Sequence, residues 1–350
     1  MSIPSEPIGS LPRTVDVLNA LKGGDDAALA KAVDLAVRQT VEEFEVTGSP
    51  VVTDGEQGKP STWAYPFAGA DNLAPDGVVI PYADGHTRQL PRLTAGPFRY
   101  RTYADQYVRA ALKHTTVPVK QAVASPSMLS LLYPADGIDG YPRQAFLDDL
   151  VDEAEKDIRG CFKAGAHTVQ LGFEEGRLSL KLDPSKALLR DFVALNNRLL
   201  ERFSGQERAK IGIHTCPGAD QDSSHSLDVD YAELLPDLFR LKAGAFYLQL
   251  ASEQDPDRVL RVVADHLPPT ARVFVGVTDP LDPRVESAEE VRDRVLNAAR
   301  HLPVDRLGTC DDAGFADFAD DVSTSRHVAF AKIRARIDGT ALAAKELGVE

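Results

Sequence analysis

The chain has 350 residues, of which 43% are hydrophobic and 26% charged, a composition typical of a globular protein with a large buried core. Its formal net charge of −14 argues against nucleic acid or an anionic membrane surface as a partner, because both select a basic surface. A small molecule is the expected partner. With no signal-like leader and no apolar run of roughly 18 residues, we expect a cytoplasmic protein.

Short runs rich in Val and Ile alternate with long amphipathic segments, which is the pattern of parallel strands joined by crossover helices. The predicted strands are 7–11, 50–54, 117–124, 168–173, 210–214, 245–250, 272–277 and 306–309. The predicted helices are 25–47, 143–164, 185–203, 231–241, 255–266, 287–301 and 324–347. Ser287 and Glu290 form a capping-box pattern, which supports the start of the helix at 287.

Eight strands spaced by roughly 30 to 40 residues favour a closed (β/α)₈ barrel over an open doubly wound sheet. No Gly-rich dinucleotide fingerprint follows any of the predicted strands. The segment 69–103, rich in Gly and Pro punctuation, lies outside the alternation and predicts a β-hairpin insertion after the second strand. We therefore expect residues 1–350 to form a single α/β barrel with this insertion.

Candidate metal ligands follow two of the predicted strands. His214 and Cys216 lie at the end of the fifth strand, and Cys310 lies at the end of the eighth. Active groups of α/β barrels gather at the carboxyl ends of the strands, and Zn²⁺ readily binds imidazole and thiolate. A substrate thiol bound to such an ion would remain a nucleophilic thiolate at neutral pH. The pattern therefore predicts a Zn²⁺ site for alkyl transfer to sulfur; the alternative is separate burial of the three side chains.

Four stretches carry a resemblance to a known family: IGSLPR, VTDGEQGKPS, IHTC and GTCDDAGF. They resemble the cobalamin-independent methionine synthase family, in the form of its short, single-barrel members. The resemblance implies a zinc-dependent methyltransferase that moves a methyl group from a methylated folate or similar donor to homocysteine. It also implies that His214, Cys216 and Cys310 bind zinc, and that Ser10 and Glu56 contact the thiol substrate.

One departure from the family concerns the metal. Gln249 stands where the family has a glutamate that completes the zinc sphere, so the fourth ligand stays open. The candidates are a water molecule and the side chains of Gln249, Asp220, His225 and Glu253.

Two further departures concern the substrates. Gly172 stands where the family has an aspartate for the amino group of homocysteine, and Glu174 or Glu175 could replace it. Leu281 stands where the family has a histidine that protonates the departing folate nitrogen, and Asp279 could serve instead.

These departures spare the thiol-activating ligands and change the substrate-specific groups. Epoxyalkane:coenzyme M transferases show a similar ligand pattern, and their sulfonate thiol could pair with Arg13, Lys59 or Lys120. A zinc-binding barrel without turnover is the third possibility. The predicted site comprises catalytic Asp279 and Glu175, substrate-binding Ser10, Arg13, Glu56, Gln121 and Glu174, and metal-binding His214, Cys216, Cys310 and Gln249.

Overall fold

The structure is a computed structural model that describes residues 2–349, so the first and last residues of the predicted 1–350 domain lie outside the described range. Its strands are β1 (Leu73–Ala74), β2 (Val79–Pro81), β3 (Thr87–Gln89), β4 (Arg92–Leu93), β5 (Lys120–Val123), β6 (Thr168–Gly172), β7 (Ile211–Thr215), β8 (Ala219–Asp220), β9 (Ser223–Ser224), β10 (Ala245–Leu248), β11 (Arg272–Gly276) and β12 (Leu307–Cys310). Its α-helices are α1 (Val15–Gly23), α2 (Asp26–Thr47), α3 (Asp105–Leu112), α4 (Pro126–Leu129), α5 (Arg143–Ala164), α6 (Glu175–Leu182), α7 (Ala187–Leu200), α8 (Gly205–Arg208), α9 (Tyr231–Leu238), α10 (Pro256–His266), α11 (Ala288–Ala299) and α12 (Arg326–Glu346).

A parallel sheet forms the centre of the fold, with the strand order β12-β11-β10-β7-β6-β5. Two short segments near the amino terminus complete the ring. Ser5 bridges in parallel to Thr309 on one edge, and Val52 bridges in parallel to Val119 at the other. The amide of Leu11 donates to the carbonyl of Gly55 at 3.0 Å and joins these two segments. The result is the predicted α/β barrel.

The first two barrel positions differ in detail from the prediction, which placed full strands at 7–11 and 50–54. Each makes a single bridge instead of a ladder, and the first bridge lies at Ser5, before the predicted start. Pro4, Pro7 and Pro50 flank these bridges and carry no amide hydrogen for a ladder. Proline therefore shortens the pairing without displacing the segments from the barrel.

The barrel interior is filled by side chains that alternate along the strands. Tyr247 and Phe274 stack with ring centroids 4.5 Å apart, and Ile8 and Cys310 belong to the same buried cluster. A Cβ at Gly212 would lie 2.4 Å from the Tyr247 ring, so the ring occupies space that only a glycine leaves open. A larger apolar cluster packs the helices against the outside of the sheet.

The long helices agree with the sequence pattern. The helix predicted at 143–164 has those bounds, and the one predicted at 287–301 begins at Ala288, with Ser287 as the N-cap and Glu290 completing the capping box. Helices α1, α3 and α6, each of nine residues or fewer, were not predicted. No helix of residues 2–349 combines the length and apolar character needed to cross a membrane.

The segment between β1 and β4 contains two antiparallel strand pairs, β1 with β4 and β2 with β3. It lies against the loop that follows β7. Arg88 donates to both carboxylate oxygens of Asp220, at 2.5 and 2.9 Å, and also contacts Asp320 at 2.9 Å. The guanidinium of Arg88 thereby connects this segment to the loops after β7 and β12.

Candidate metal and substrate site

Three side chains that could bind a metal ion meet at the carboxyl ends of β6 and β7. One ligand atom from each of Glu174, His214 and Cys216 lies within 4.8 Å of the others. His214 is part of β7, Cys216 follows it directly, and Glu174 follows β6, whose last residue Gly172 pairs in register with His214. The two neighbouring strands therefore carry all three ligand groups to one point. We call them the donor triad.

The His214 ring is fixed by a hydrogen bond to the main chain. Its Nε2 lies 3.2 Å from the carbonyl oxygen of Asp312. A carbonyl only accepts hydrogen bonds, so Nε2 carries the proton and Nδ1 keeps a lone pair for a metal. Burial lowers the pKa of His214 to about 4, so the imidazole is neutral near pH 7. Neutral imidazole is the form that binds metals.

Cys216 is fully buried, and its Sγ accepts a hydrogen bond from the amide of Gly218 at 3.4 Å. Burial, followed by the carboxyl groups of Glu174 and Asp317, raises the pKa of this thiol. A bound metal ion reverses that preference, because a coordinating thiol loses its proton. Gly218 has φ +70°, and a Cβ there would lie 1.8 Å from Nε2 of His225, so the turn after Cys216 requires glycine.

The other two predicted metal ligands, Cys310 and Gln249, make contacts with other groups of the protein. Cys310 is still part of β12, and its thiol packs inside the barrel, 3.5 Å from the carbonyl oxygen of Phe274. Gln249 accepts a hydrogen bond from Arg177 at 2.8 Å and donates one to Ser252 at 2.7 Å. In the structure Glu174 lies beside His214 and Cys216, whereas the thiol of Cys310 packs with Ile8 and Phe274 inside the barrel.

A group of polar side chains lies next to the triad. Ser10 donates to Asp317 at 2.6 Å, and Glu56 accepts hydrogen bonds from Lys59 at 3.2 Å and Thr62 at 2.8 Å. Glu56 has φ +57°, a left-handed conformation that costs a residue with a side chain roughly 1–2 kcal/mol. Strain of this kind is typical of functional sites.

Burial raises the pKa of both Glu174 and Asp317, and the negative charge of neighbouring carboxyl groups raises each pKa further. After burial, the charge of Asp317 contributes most to the raised pKa of Glu174. The two groups therefore hold negative charge poorly unless a cation is present. Such an acidic pair is complementary to a metal ion or to the ammonium group of a substrate.

The cations predicted as sulfonate partners are already used inside the protein. Arg13 donates to the carbonyls of Leu11, Ala316 and Lys59, at 3.1, 2.7 and 3.0 Å. The ammonium of Lys59 donates to Glu56 and to a main-chain carbonyl. The ammonium of Lys120 lies 3.3 Å from the centre of the Tyr247 ring and 3.5 Å from the carboxylate of Glu6.

Glu175 and Gln121, also predicted as site residues, lie in different surroundings. Glu175 is buried and accepts hydrogen bonds from Ser125, at 2.9 Å, and from Ser127. Burial raises the pKa of Glu175 to about 7. Gln121 pairs in register with Val169 on the outer face of the sheet and donates to a main-chain carbonyl. Alternation along β5 thus directs Gln121 away from the barrel interior, where Lys120 lies.

A cleft of about 490 Å³ opens beside the triad. Asp279, Leu281 and Ala313 line it, and the last two pack in the same apolar cluster as Cys216. Asp279 accepts a hydrogen bond from the amide of Leu281 at 3.0 Å, and burial raises the pKa of its carboxyl group. The cleft is therefore large enough for a small organic molecule and has an acid on its wall.

Sequence reasoning missed Asp317 and Arg177 as components of the site. Asp317 lies in the loop after β12, well past the strand end at which ligands were sought. The acidic residues after Cys310 were a signal in the sequence. The path of the loop that carries Asp317 could not be predicted from it. Arg177 is buried in α6, a helix that was not predicted.

Comparison with known proteins identifies the family of the chain. Residues 4–329 match the family model described as the catalytic domain of cobalamin-independent synthase. The chain is 25% identical over 357 residues to the 5-methyltetrahydropteroyltriglutamate–homocysteine methyltransferase of Nitratidesulfovibrio vulgaris, with 96% of this chain and 42% of that relative covered. It is 23% identical over 308 residues to the methionine synthase of Pyrococcus furiosus, with 86% and 82% covered. The chain thus spans less than half the length of the first relative.

Two solved structures share the fold. The B12-independent methionine synthase from Shewanella sp. W3-18-1, solved in complex with selenomethionine, gives a TM-score of 0.78 at 18% identity over 100% of both chains. A putative vitamin-B12 independent methionine synthase from Listeria monocytogenes gives 0.68 at 19% identity, with 97% of this chain and 98% of that one covered. At these identities the likeness establishes the barrel architecture.

Proposed function

The chain belongs to the cobalamin-independent synthase family, in its catalytic domain, and we propose that it is a zinc-dependent methyltransferase that methylates a thiol such as homocysteine. The observation that carries this proposal is the donor triad of Glu174, His214 and Cys216 at the mouth of the barrel. Nitrogen, sulfur and carboxylate oxygen donors fit Zn²⁺, and three protein ligands leave a fourth position for a substrate. We place the reaction in the cytoplasm, where thiols stay reduced.

When bound, the zinc ion supplies a Lewis acid that keeps a substrate thiol in its thiolate form. The protein then has to orient the two substrates. We assign Ser10, Glu56 and Asp317 to the amino group of the thiol substrate, because Ser10 bonds Asp317 and the charges of Asp317 and Glu56 act on Glu174. The cleft beside Cys216 would hold the methyl donor, a methylated folate or a similar molecule.

The transfer forms a bond between the thiolate sulfur and the methyl carbon. The bond from the methyl carbon to the donor nitrogen breaks, and its electron pair stays on that nitrogen. Asp279, on the cleft wall and with a raised pKa, is the proposed source of the proton that this nitrogen then takes up. Glu175 would act indirectly, by holding the Ser125 and Ser127 hydroxyls.

An amino thiol suits the site better than a sulfonate thiol. The acidic side chains beside the triad attract an ammonium group and repel a sulfonate. Arg13, Lys59 and Lys120, the cations that could bind a sulfonate, are engaged with carbonyls, carboxylates or an aromatic ring. Homocysteine is therefore the preferred acceptor over coenzyme M.

The proposal is tested by incubating zinc-loaded protein with homocysteine and a methylated folate and measuring methionine. Parallel reactions contain coenzyme M with a short epoxide, protein treated with a chelator, or the Cys216→Ser variant. We expect methionine only with the zinc-loaded unmodified protein. A coenzyme M thioether would instead support epoxide opening, and the absence of product with either thiol would support a zinc-binding protein without turnover.

A further inference from the structure

We infer that the metal centre of this protein contains a single protein thiolate, Cys216, and that the carboxylate of Glu174 is its third ligand beside His214. This inference rests on the proposed metal-dependent function and deepens it, because it excludes Cys310 from the centre and sets the number of protein thiolates at one. The fourth position is left for the substrate thiol.

The position of Glu174 is the first argument. Gly172, the register partner of His214, has no side chain, and a Cβ there would lie 4.0 Å from Oε1 of Glu174. The Glu174 carboxylate thus occupies the space above Gly172 that a longer side chain would fill. One carboxylate oxygen of Glu174 lies within 4.8 Å of a ligand atom of His214 and of Cys216, close enough for a single ion to contact all three.

The second argument is that Cys310 is held elsewhere. It lies within β12, opposite Gly276, and packs with Ile8, Tyr247 and Phe274 inside the barrel. The residue of the same chain segment that packs beside Cys216 is Ala313, whose methyl group offers no ligand atom. No thiolate therefore approaches the triad from β12.

The third argument concerns the other candidates for a fourth ligand, each of which has a protein partner. Gln249 and Glu253 both accept hydrogen bonds from Arg177, at 2.8 and 3.1 Å. Asp220 is paired with Arg88. His225 contacts the Ser226 hydroxyl through Nδ1 at 2.6 Å, and its Nε2 packs against Gly218.

A centre with one thiolate, one imidazole and one carboxylate has a distinct signature. Cobalt(II) accepts the same donors as zinc, and the intensity of its sulfur-to-metal charge-transfer band increases with each thiolate bound. Homocysteine would therefore about double the band by adding a second thiolate to a one-thiolate centre. A two-thiolate centre would gain only about half of its starting intensity.

The test combines metal binding with this spectrum. Zinc content and affinity are measured for the unmodified protein and for Cys310→Ser, Cys216→Ser and Glu174→Gln, with circular dichroism to confirm folding. We expect Cys310→Ser to bind zinc as the unmodified protein does. Glu174→Gln should lose more than about 100-fold in affinity, the upper end of the cost of losing an outer-shell partner.

A matched pair at Gly172 tests the position of Glu174 without removing any ligand. Gly172→Ala adds a Cβ at ordinary contact distance and should retain zinc, whereas the larger side chain of Gly172→Val should displace the carboxylate and weaken binding. Loss of zinc in Cys310→Ser, or full affinity in folded Glu174→Gln, would overturn the inference alone. Absence of zinc from the unmodified protein would overturn the proposed function as well.

Discussion

Replacement of Glu175 by glutamine tests the energetic state of a buried carboxyl group near the site. Burial raises the pKa of Glu175 from 4.5 to about 7. A carboxyl group whose pKa is raised in the folded state stabilises the protein fully only below its unfolded pKa, and this contribution is lost as the pH rises through 7. The shift corresponds to about 3 kcal/mol at pH 8, since one pKa unit is about 1.4 kcal/mol.

Glutamine is neutral at every pH and can still accept the hydrogen bonds of Ser125 and Ser127 through Oε1. The free energy of unfolding of Glu175→Gln minus that of the unmodified protein should therefore increase by about 2 to 3 kcal/mol from pH 5 to pH 8.

Urea unfolding followed by circular dichroism at several pH values measures this difference. Glu289→Gln, which removes a charge from an exposed position on α11, is the control and should show no such trend. If the Glu175→Gln and unmodified curves run parallel from pH 5 to pH 8, the raised pKa is refuted.

The remaining predictions concern the surroundings of His214. Gly276→Ala should destabilise the fold by about 1–3 kcal/mol in urea unfolding, because its Cβ would lie 1.8 Å from Oδ1 of Asp312; unchanged stability would contradict this. Asp312→Asn should weaken zinc binding in a chelator competition. The Asp312 carboxylate accepts hydrogen bonds from the amides of 250–252, and this fixes the main-chain carbonyl of Asp312 that bonds the His214 ring. Unchanged zinc affinity would exclude this role. Removal of zinc by a chelator should lower the melting temperature of the unmodified protein in calorimetry, and zinc should restore it.

The sequence was sufficient for the barrel and for one half of the candidate site. The alternation of buried strands and amphipathic helices is a local signal, and His214 and Cys216 share one strand end, so their proximity needed no knowledge of tertiary contacts. The alternation did not predict the length of pairing at the first two barrel positions. Ser5 and Val52 make single bridges there, because nearby prolines carry no amide hydrogen for a longer ladder.

The other half of the site depended on side-chain direction and loop path. Cys310 and Ala313 are separated by three positions, yet only Ala313 packs beside Cys216, because β12 continues through Cys310. Gly172 was interpreted from the sequence as the loss of a substrate contact, whereas in the folded protein the Glu174 carboxylate lies beside it, 4.0 Å from the position that a Cβ would take. Contacts between distant segments, such as Ser10 with Asp317, leave no periodic signal in the sequence.

Zinc-edge X-ray absorption of the purified protein, before and after the addition of homocysteine, observes the binding of a thiol at the metal directly. We predict one sulfur neighbour at about 2.3 Å before homocysteine is added and two afterwards, together with nitrogen and oxygen neighbours at about 2.0–2.2 Å. The absence of bound zinc, or a sulfur count that homocysteine leaves unchanged, would contradict metal-assisted thiol methylation at His214, Cys216 and Glu174.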